Sequence, residues 1–153
     1  MNVFSEIKKL LDSKNVDYKV LEHKPVGTSI EVAKERGEDI KIGIKAMVFK
    51  GDNNFFMVCV SAAYKIDSKK VRKALKLRKL RFATEEELME LTNCVPGGVP
   101  PFGQIFKLKM YLDKTVLKNE NVAFNAGRLD RSIKMKRGDY EKAVNFQLIN
   151  ASK

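Results

Sequence analysis

Residues 42–60 read IGIKAMVFKGDNNFFMVCV, and the reading of this stretch decides the class of fold. Two apolar runs, Ile42 to Phe49 and Phe55 to Val60, flank the segment Gly51-Asp52-Asn53-Asn54. Apolar runs of strand length joined by a short Gly/Asp/Asn segment predict a β-hairpin. Side chains alternate between the faces of a strand, so Lys45 shares a face with Met47 and Phe49, while Ile44, Ala46 and Val48 take the other. Both faces are apolar and want burial, which flanks Lys45 with core. Desolvating an ammonium is costly unless a partner compensates it, and lysines held in this way concentrate at functional sites. The pattern equally fits a strand-edge lysine whose stem lies on the core and whose head reaches water.

Upstream, Val3, Ile7, Leu10 and Leu11 fall at helical spacing and predict an opening helix, followed by a strand around Tyr18 to Leu21. Thr28 with Glu31 makes a capping box, so a helix is expected from Ser29 to about Arg36, with Gly37 placed to end it. Downstream, nine basic residues (Lys65, Lys69, Lys70, Arg72, Lys73, Lys76, Arg78, Lys79 and Arg81) accompany one acid, Asp67. Val71, Ala74, Leu75 and Leu77 recur among them at helical spacing, which predicts a helix packed on one side and basic on the other. A strand from Leu80 to Ala83 precedes a second capping box, Thr84 with Glu87, opening a helix to about Thr92. Further strands are expected near Ile105 to Tyr111, Val122 to Asn125 and Ser132 to Lys136, with a closing helix from Asp139. Helices and strands interleave irregularly, and several strands are joined by hairpin-length turns. The expected fold is therefore a single α+β domain over residues 1–153, with a mixed, largely antiparallel sheet packed with helices. No glycine-rich phosphate loop or dinucleotide fingerprint is present.

At 153 residues the chain is long enough to bury a real core, and 44% hydrophobic with 32% charged residues is ordinary for a soluble protein. No apolar run reaches the roughly 20 residues of a membrane span, so no membrane partner is expected. The first residues carry no basic segment followed by an apolar one, and Cys59 and Cys94 form no disulfide framework, which fits a reduced, cytoplasmic setting. The net charge of +11 and pI near 9.7 make a polyanion the natural partner to test. Within the basic segment, Lys69, Lys70, Arg72, Lys73 and Lys76 are the candidates to neutralise phosphates.

The least regular stretch is Pro96-Gly97-Gly98-Val99-Pro100-Pro101-Phe102-Gly103. Glycines let backbone approach a ligand, prolines stiffen the turn, and the N–H groups of Gly97, Gly98, Val99, Phe102 and Gly103 are candidate donors to a developing oxyanion. Other chemistries fit less well. Cys94 adjoins the loop, but His23 is the chain's one histidine and so its one possible base; a zinc site lacks ligands, and Cys59 reads as a small core residue.

Several segments, in this order, resemble the YbaK/ProX editing family, which is related to the domain inserted in bacterial prolyl-tRNA synthetases. They are Glu22-His23-Lys24-Pro25 leading to Thr28; Ile44-Lys45-Ala46-Met47-Val48; Ser61-Ala62-Ala63 before Ile66-Asp67; Leu91-Thr92 through Gly97 to Gly103; and Phe124-Asn125-Ala126-Gly127 before Ser132-Ile133. The resemblance spans about residues 16 to 145 and implies hydrolysis of aminoacyl-tRNA without a metal, cofactor or protein nucleophile. By that resemblance Lys45 orients the ester or phosphate end, while amides near Gly97 and Gly98 hold the aminoacyl carbonyl. His23, Thr28, Pro101, Phe102, Gly103, Asn125, Ala126 and Gly127 surround the substrate. The implied substrate is a mischarged tRNA, cysteinyl or alanyl on tRNA for proline, with an aminoacyl-tRNA synthetase as a further partner. Two positions depart from the pattern: many relatives carry Thr-Gly where this chain has Thr92-Asn93, and some alanine-specific relatives carry a histidine where Arg128-Leu129 stands. The rival reading is a non-catalytic tRNA- or synthetase-binding module with the same fold.

Overall fold

The computed structural model describes residues 1–25 and 29–153. Helix α1 (Val3–Ser13) starts where the Asn2 side chain accepts a hydrogen bond from Ser5 N–H at 3.0 Å, and it buries Val3, Ile7 and Leu11. Strand β1 (Tyr18–Glu22) and helix α2 (Ser29–Arg36) follow, and Gly37 leaves the helix at φ +69°. The expected Thr28 cap lies outside the described residues. The hairpin comprises β2 (Ile44–Gly51) and β3 (Asn54–Ser61). Gly51 pairs with Asn54, so the turn is the two residues Asp52 and Asn53, with Asp52 at φ +52°. The strands thus run further than the glycine suggests, since Asp and Asn tolerate the left-handed region almost as well.

After the hairpin come α3 (Ser68–Ala74), β4 (Leu80–Phe82), α4 (Glu85–Thr92), β5 (Lys109–Asp113), β6 (Asn121–Arg128), β7 (Arg131–Lys136), α5 (Arg137–Ala143) and β8 (Gln147–Ile149). The basic segment from Lys65 to Arg81 is therefore helical over only seven residues. Leu75 caps α3, Lys76 turns the chain at φ +54°, and Asp52 accepts hydrogen bonds from the N–H groups of Arg78 and Lys79. Helix α4 carries the expected capping box at Thr84 and Glu87. It ends at Asn93, which adopts φ +57° and ties its side chain to Met1 O at 3.1 Å. The strand expected from Ile105 starts at Lys109 instead, because Gly103–Phe106 winds into a 3-10 turn. Strand β8 was not expected: three residues give no readable alternation.

Among the described residues, β1, β7 and β6 form an antiparallel three-stranded sheet in that order. A five-stranded sheet runs β4-β2-β3-β5-β8, antiparallel through β3 and parallel from β3 to β8. A bridge between Gly43 and Ala123 joins the two sheets. Ile44, Val48, Met57 and Cys59 enter the larger core with α1, Phe124 and Ile133; Phe49, Phe56 and Val58 pack with Val71 of α3. The antiparallel hairpins and interspersed helices make the expected α+β fold.

One buried carboxylate ties the end of β5 to the residues after β8. Asp113 Oδ1 accepts from Ala151 N–H at 2.6 Å and Ser152 N–H at 3.0 Å, while Oδ2 accepts from the Thr115 hydroxyl at 2.6 Å and Thr115 N–H at 3.1 Å. Burial alone would raise its pKa, but these four donors together hold it below the ordinary value. The native state therefore keeps this charge to lower pH than the unfolded chain does. Its stabilisation is present above roughly pH 4 and is lost as pH falls through the native value. Asp113→Asn turns an NH2 group toward N–H donors and is expected to cost about 1–3 kcal/mol. Denaturant melts between pH 2 and 7 check this: the variant should lose part of the acid-side slope.

Candidate active site

The hairpin's outer edge is only partly covered. β4 pairs with β2 at Phe49, Lys50 and Gly51, and the ladder ends with Ala83 N–H on Val48 O at 2.9 Å. Before that point the edge of β2 opens onto a cavity of about 250 Å3. Val32, Ala33 and Arg36 of α2 line it, with Ile40, the run Gly43 to Met47, Ala62, Gly97, Val99 and Asn125. The pattern of residues 42–60 thus brings Lys45 to a cavity wall, together with Gly97 and Asn125 of the expected site.

Lys45 is half-buried, and burial followed by the nearby charge of Lys65 pushes its pKa below that of an ordinary lysine. It has no ion-pair or hydrogen-bond partner among the described residues. An unpaired, partly desolvated ammonium is primed for an anionic or carbonyl oxygen.

The opposite wall is fixed one peptide at a time. Gly97 lies at φ +85°, a conformation glycine adopts without cost. Its carbonyl accepts from Asn125 Nδ2 at 2.7 Å, and Gly98 N–H, in the same peptide, donates to Val95 O at 3.0 Å. Gly98 O accepts from Gly127 N–H at 2.9 Å. N–H and C=O point opposite ways across a trans peptide, so this last bond also sets the direction of Val99 N–H. The N–H groups of Gly97 and Val99 have no partner among the described residues. Gly98 N–H is occupied by the turn, which leaves Gly97 and Val99 as the donors available to a ligand.

Joined to this wall is a buried polar network that the sequence did not reveal, and its Arg36 and Asn125 reach the cavity. The Arg36 and Glu38 side chains are each 4% exposed and pair at 3.2 Å. Arg36 also donates through Nε to Ser132 Oγ at 2.9 Å and through an Nη to Asn125 Oδ1 at 3.2 Å. Burial lowers the Arg36 pKa while Glu38 opposes the shift; at an arginine this leaves the charge in place. Lys134 stands 3.8 Å from Glu38 Oε2, which lacks a hydrogen bond among the described residues. His23 sits on the far side, its Nδ1 2.9 Å from Lys24 O and its Nε2 2.7 Å from Ser132 Oγ. A carbonyl only accepts, so Nδ1 carries the proton and Nε2 faces the serine hydroxyl. His23 is thus a support of the network, off the cavity wall.

Other expected contacts fall elsewhere. Phe102 is fully buried edge-on against Phe124 and Tyr140; Pro101 O accepts from the Tyr140 hydroxyl at 2.6 Å, and Gly103 packs against Leu108 O and Met110. Ala126 is fully buried in the core, and Gly127 abuts Val3. These residues hold the loop from behind and do not line the cavity. Thr28 lies outside the described residues. Cys94 is buried with Sγ on Thr92 O at 3.3 Å, and burial raises its pKa, so it forms no dyad with His23. Among the described residues no three His, Cys, Asp or Glu side chains are placed to hold a metal. Lys69, Lys70, Arg72, Lys73 and Lys76 are all exposed, although Lys70 Nζ donates to Ser152 O at 2.7 Å. Asn93 supplies at the end of α4 the left-handed turn for which glycine is the usual residue.

A model of the aminoacyl-tRNA editing domain matches residues 23–143. The multifunctional Ser/Thr-tRNA deacylase ProXp-y of Escherichia coli K12 is 32% identical over 146 residues, covering 92% of this chain and 87% of that protein. The prolyl-tRNA editing protein ProX of Acetoanaerobium sticklandii is 26% identical over 140 residues, covering 88% and 85%. A crystal structure of a candidate trans-editing enzyme for prolyl tRNA synthetase superposes with a TM-score of 0.87 at 25% identity, covering 100% of this chain and 98% of the other. The matched region includes every residue that lines the cavity, and the chain belongs to the aminoacyl-tRNA editing domain family.

Proposed function

We propose that this chain hydrolyses the ester bond of mischarged aminoacyl-tRNA, acting in trans with a small aminoacyl group in the cavity beside Lys45. The observation that carries this reading is the meeting in one cavity of the Lys45 ammonium with the amides of Gly97 and Val99, none of which has a partner among the described residues. Water adds to the ester carbonyl, and its electrons move onto the carbonyl oxygen, where the two amides stabilise the oxyanion. Collapse re-forms the carbonyl and expels the terminal ribose oxygen, which takes up the proton that the attacking water gives up, relayed by a neighbouring ribose hydroxyl or a second water, as the free amino acid leaves. Lys45 holds the ester or the adjacent phosphate. An activated ester needs positioning and oxyanion stabilisation more than it needs a strong base.

Cysteine and alanine on tRNA for proline are the proposed substrates. A cavity of about 250 Å3 walled by Val32, Ala33, Ile40 and Ala62 suits a small side chain. The E. coli relative is named for serine and threonine, so both belong in the test. Time courses with cysteinyl-, alanyl-, seryl- and threonyl-tRNA, with prolyl-tRNA as control, should show loss of one or more mischarged esters. Survival of all of them while the tRNA still binds would instead favour a binding module.

The exposed cations of α3 are proposed to receive the acceptor stem. Lys69, Arg72 and Lys73 replaced together by alanine should weaken tRNA binding and lower its log–log salt slope by about 0.7–0.9 for each phosphate no longer neutralised. The rate at saturating tRNA should hold. An unchanged slope would remove the helix from the interface.

A further inference from the structure

We propose that Arg36 is a positioning residue for this reaction, holding the Gly97–Val99 loop in its reactive shape through the side-chain amide of Asn125. The inference rests on the deacylase reading and adds to it a residue at the cavity rim that acts through Asn125.

The argument begins with an orientation problem. An asparagine amide is nearly symmetric in shape, and its two ends differ only in what they bond. Asn125 Oδ1 accepts from Arg36 at 3.2 Å and lies 3.0 Å from Ser132 Oγ, whose one proton is shared between it and His23 Nε2. With the guanidinium, which only donates, on the oxygen, the NH2 end must face the other way, and it reaches Gly97 O at 2.7 Å. That bond fixes the peptide whose opposite end, Gly98 N–H, is held by Val95 O at 3.0 Å. One guanidinium thereby determines which way a catalytic-loop peptide lies.

Arginine suits the task for two reasons. Its fork is planar, so Nε on Ser132 Oγ at 2.9 Å and Nη on Asn125 Oδ1 define one plane, a geometry lysine cannot copy. Its charge also strengthens the bonds beyond it, since hydrogen bonds in series polarise one another where the dielectric is low. Glu38 balances that charge at 3.2 Å, which lets it remain with a side chain only 4% exposed. Arg36 closes helix α2, whose Val32 and Ala33 line the cavity, so the same contact locks the substrate wall to the loop.

The test compares Arg36→Lys, Asn125→Ala and the double variant by single-turnover deacylation, with amide hydrogen exchange at Gly98 as a second readout. Arg36→Lys is expected to lower the rate constant about 10–100-fold with under threefold change in tRNA affinity, and to raise Gly98 exchange. The double variant should be no slower than Asn125→Ala alone, because Arg36 acts through Asn125. Guanidinium added to Arg36→Ala should restore part of the rate. Additive losses, or a slowed reaction with unchanged Gly98 exchange, would overturn the proposal. If the wild type cleaves no ester while Arg36→Lys still loosens Gly98, the positioning stands and the deacylase reading falls. Unchanged exchange in that case ends both.

Discussion

Lys45→Met is expected to abolish ester cleavage and to raise the melting temperature by about 1–4 °C. The two effects have one cause. Lys45 sits half-buried at the cavity with no partner among the described residues, and Lys65 adds repulsion. The fold bears that cost, and under the proposed reading the charge serves the reaction. Methionine keeps the unbranched stem and removes the ammonium, which should stabilise by about 0.5–1 kcal/mol, the usual scale when a functional strain is relieved. Activity should fall at least 100-fold, the scale seen when one preorganised electrostatic interaction is removed. A pH series makes the origin visible. The native pKa of Lys45 lies below the unfolded value, so between the two the unfolded state binds more protons and wild-type stability rises with pH. The advantage of the methionine variant should therefore shrink as pH climbs toward about 10. A variant less stable than wild type at pH 7, or one that still cleaves, would contradict the account.

Gly127→Ala is expected to be the most damaging small substitution in the site, costing about 2–4 kcal/mol and lowering the melting temperature by roughly 5–15 °C. Two penalties combine. Gly127 lies at φ +88°, where an L side chain is strained, and an added Cβ would stand 2.9 Å from Val3 Cβ and Cγ1. Val3 is buried at the first turn of α1, so relief requires the helix to shift. The same move withdraws Gly127 N–H from Gly98 O and frees the peptide that aims Val99 N–H. Activity should thus fall even at temperatures where the variant is folded. Calorimetry with kinetics well below the transition separates the two effects; full activity there would mean that Gly127 serves the fold alone.

Much of this was legible in the sequence, for reasons visible at particular residues. Lys45 stood out because it interrupts an apolar strand, and the Gly97 to Gly103 loop because glycine and proline crowd it, although a rigid surface turn has the same composition. The two capping residues Thr84 and Glu87 located the start of α4. Arg36 was unreadable, since an arginine closing a short polar helix looks like any solvated end; its burial depends on β6 and β7, about 90 residues away in sequence. Phe102 was misplaced for a related reason. An apolar residue in a glycine-proline loop can face a ligand or the core, and only the rings of Phe124 and Tyr140 decide it.

Asn93 bears on how such a family is recognised. A pattern that demands glycine after the threonine at the end of α4 records a residue where the physics requires an angle. At φ +57° the backbone needs a residue that tolerates the left-handed well, and asparagine qualifies. Its amide also fastens the segment to Met1 O, a tether that glycine cannot supply. A signature written in torsion angles would admit both letters and reject alanine, and so would gather sequences that a literal motif leaves out.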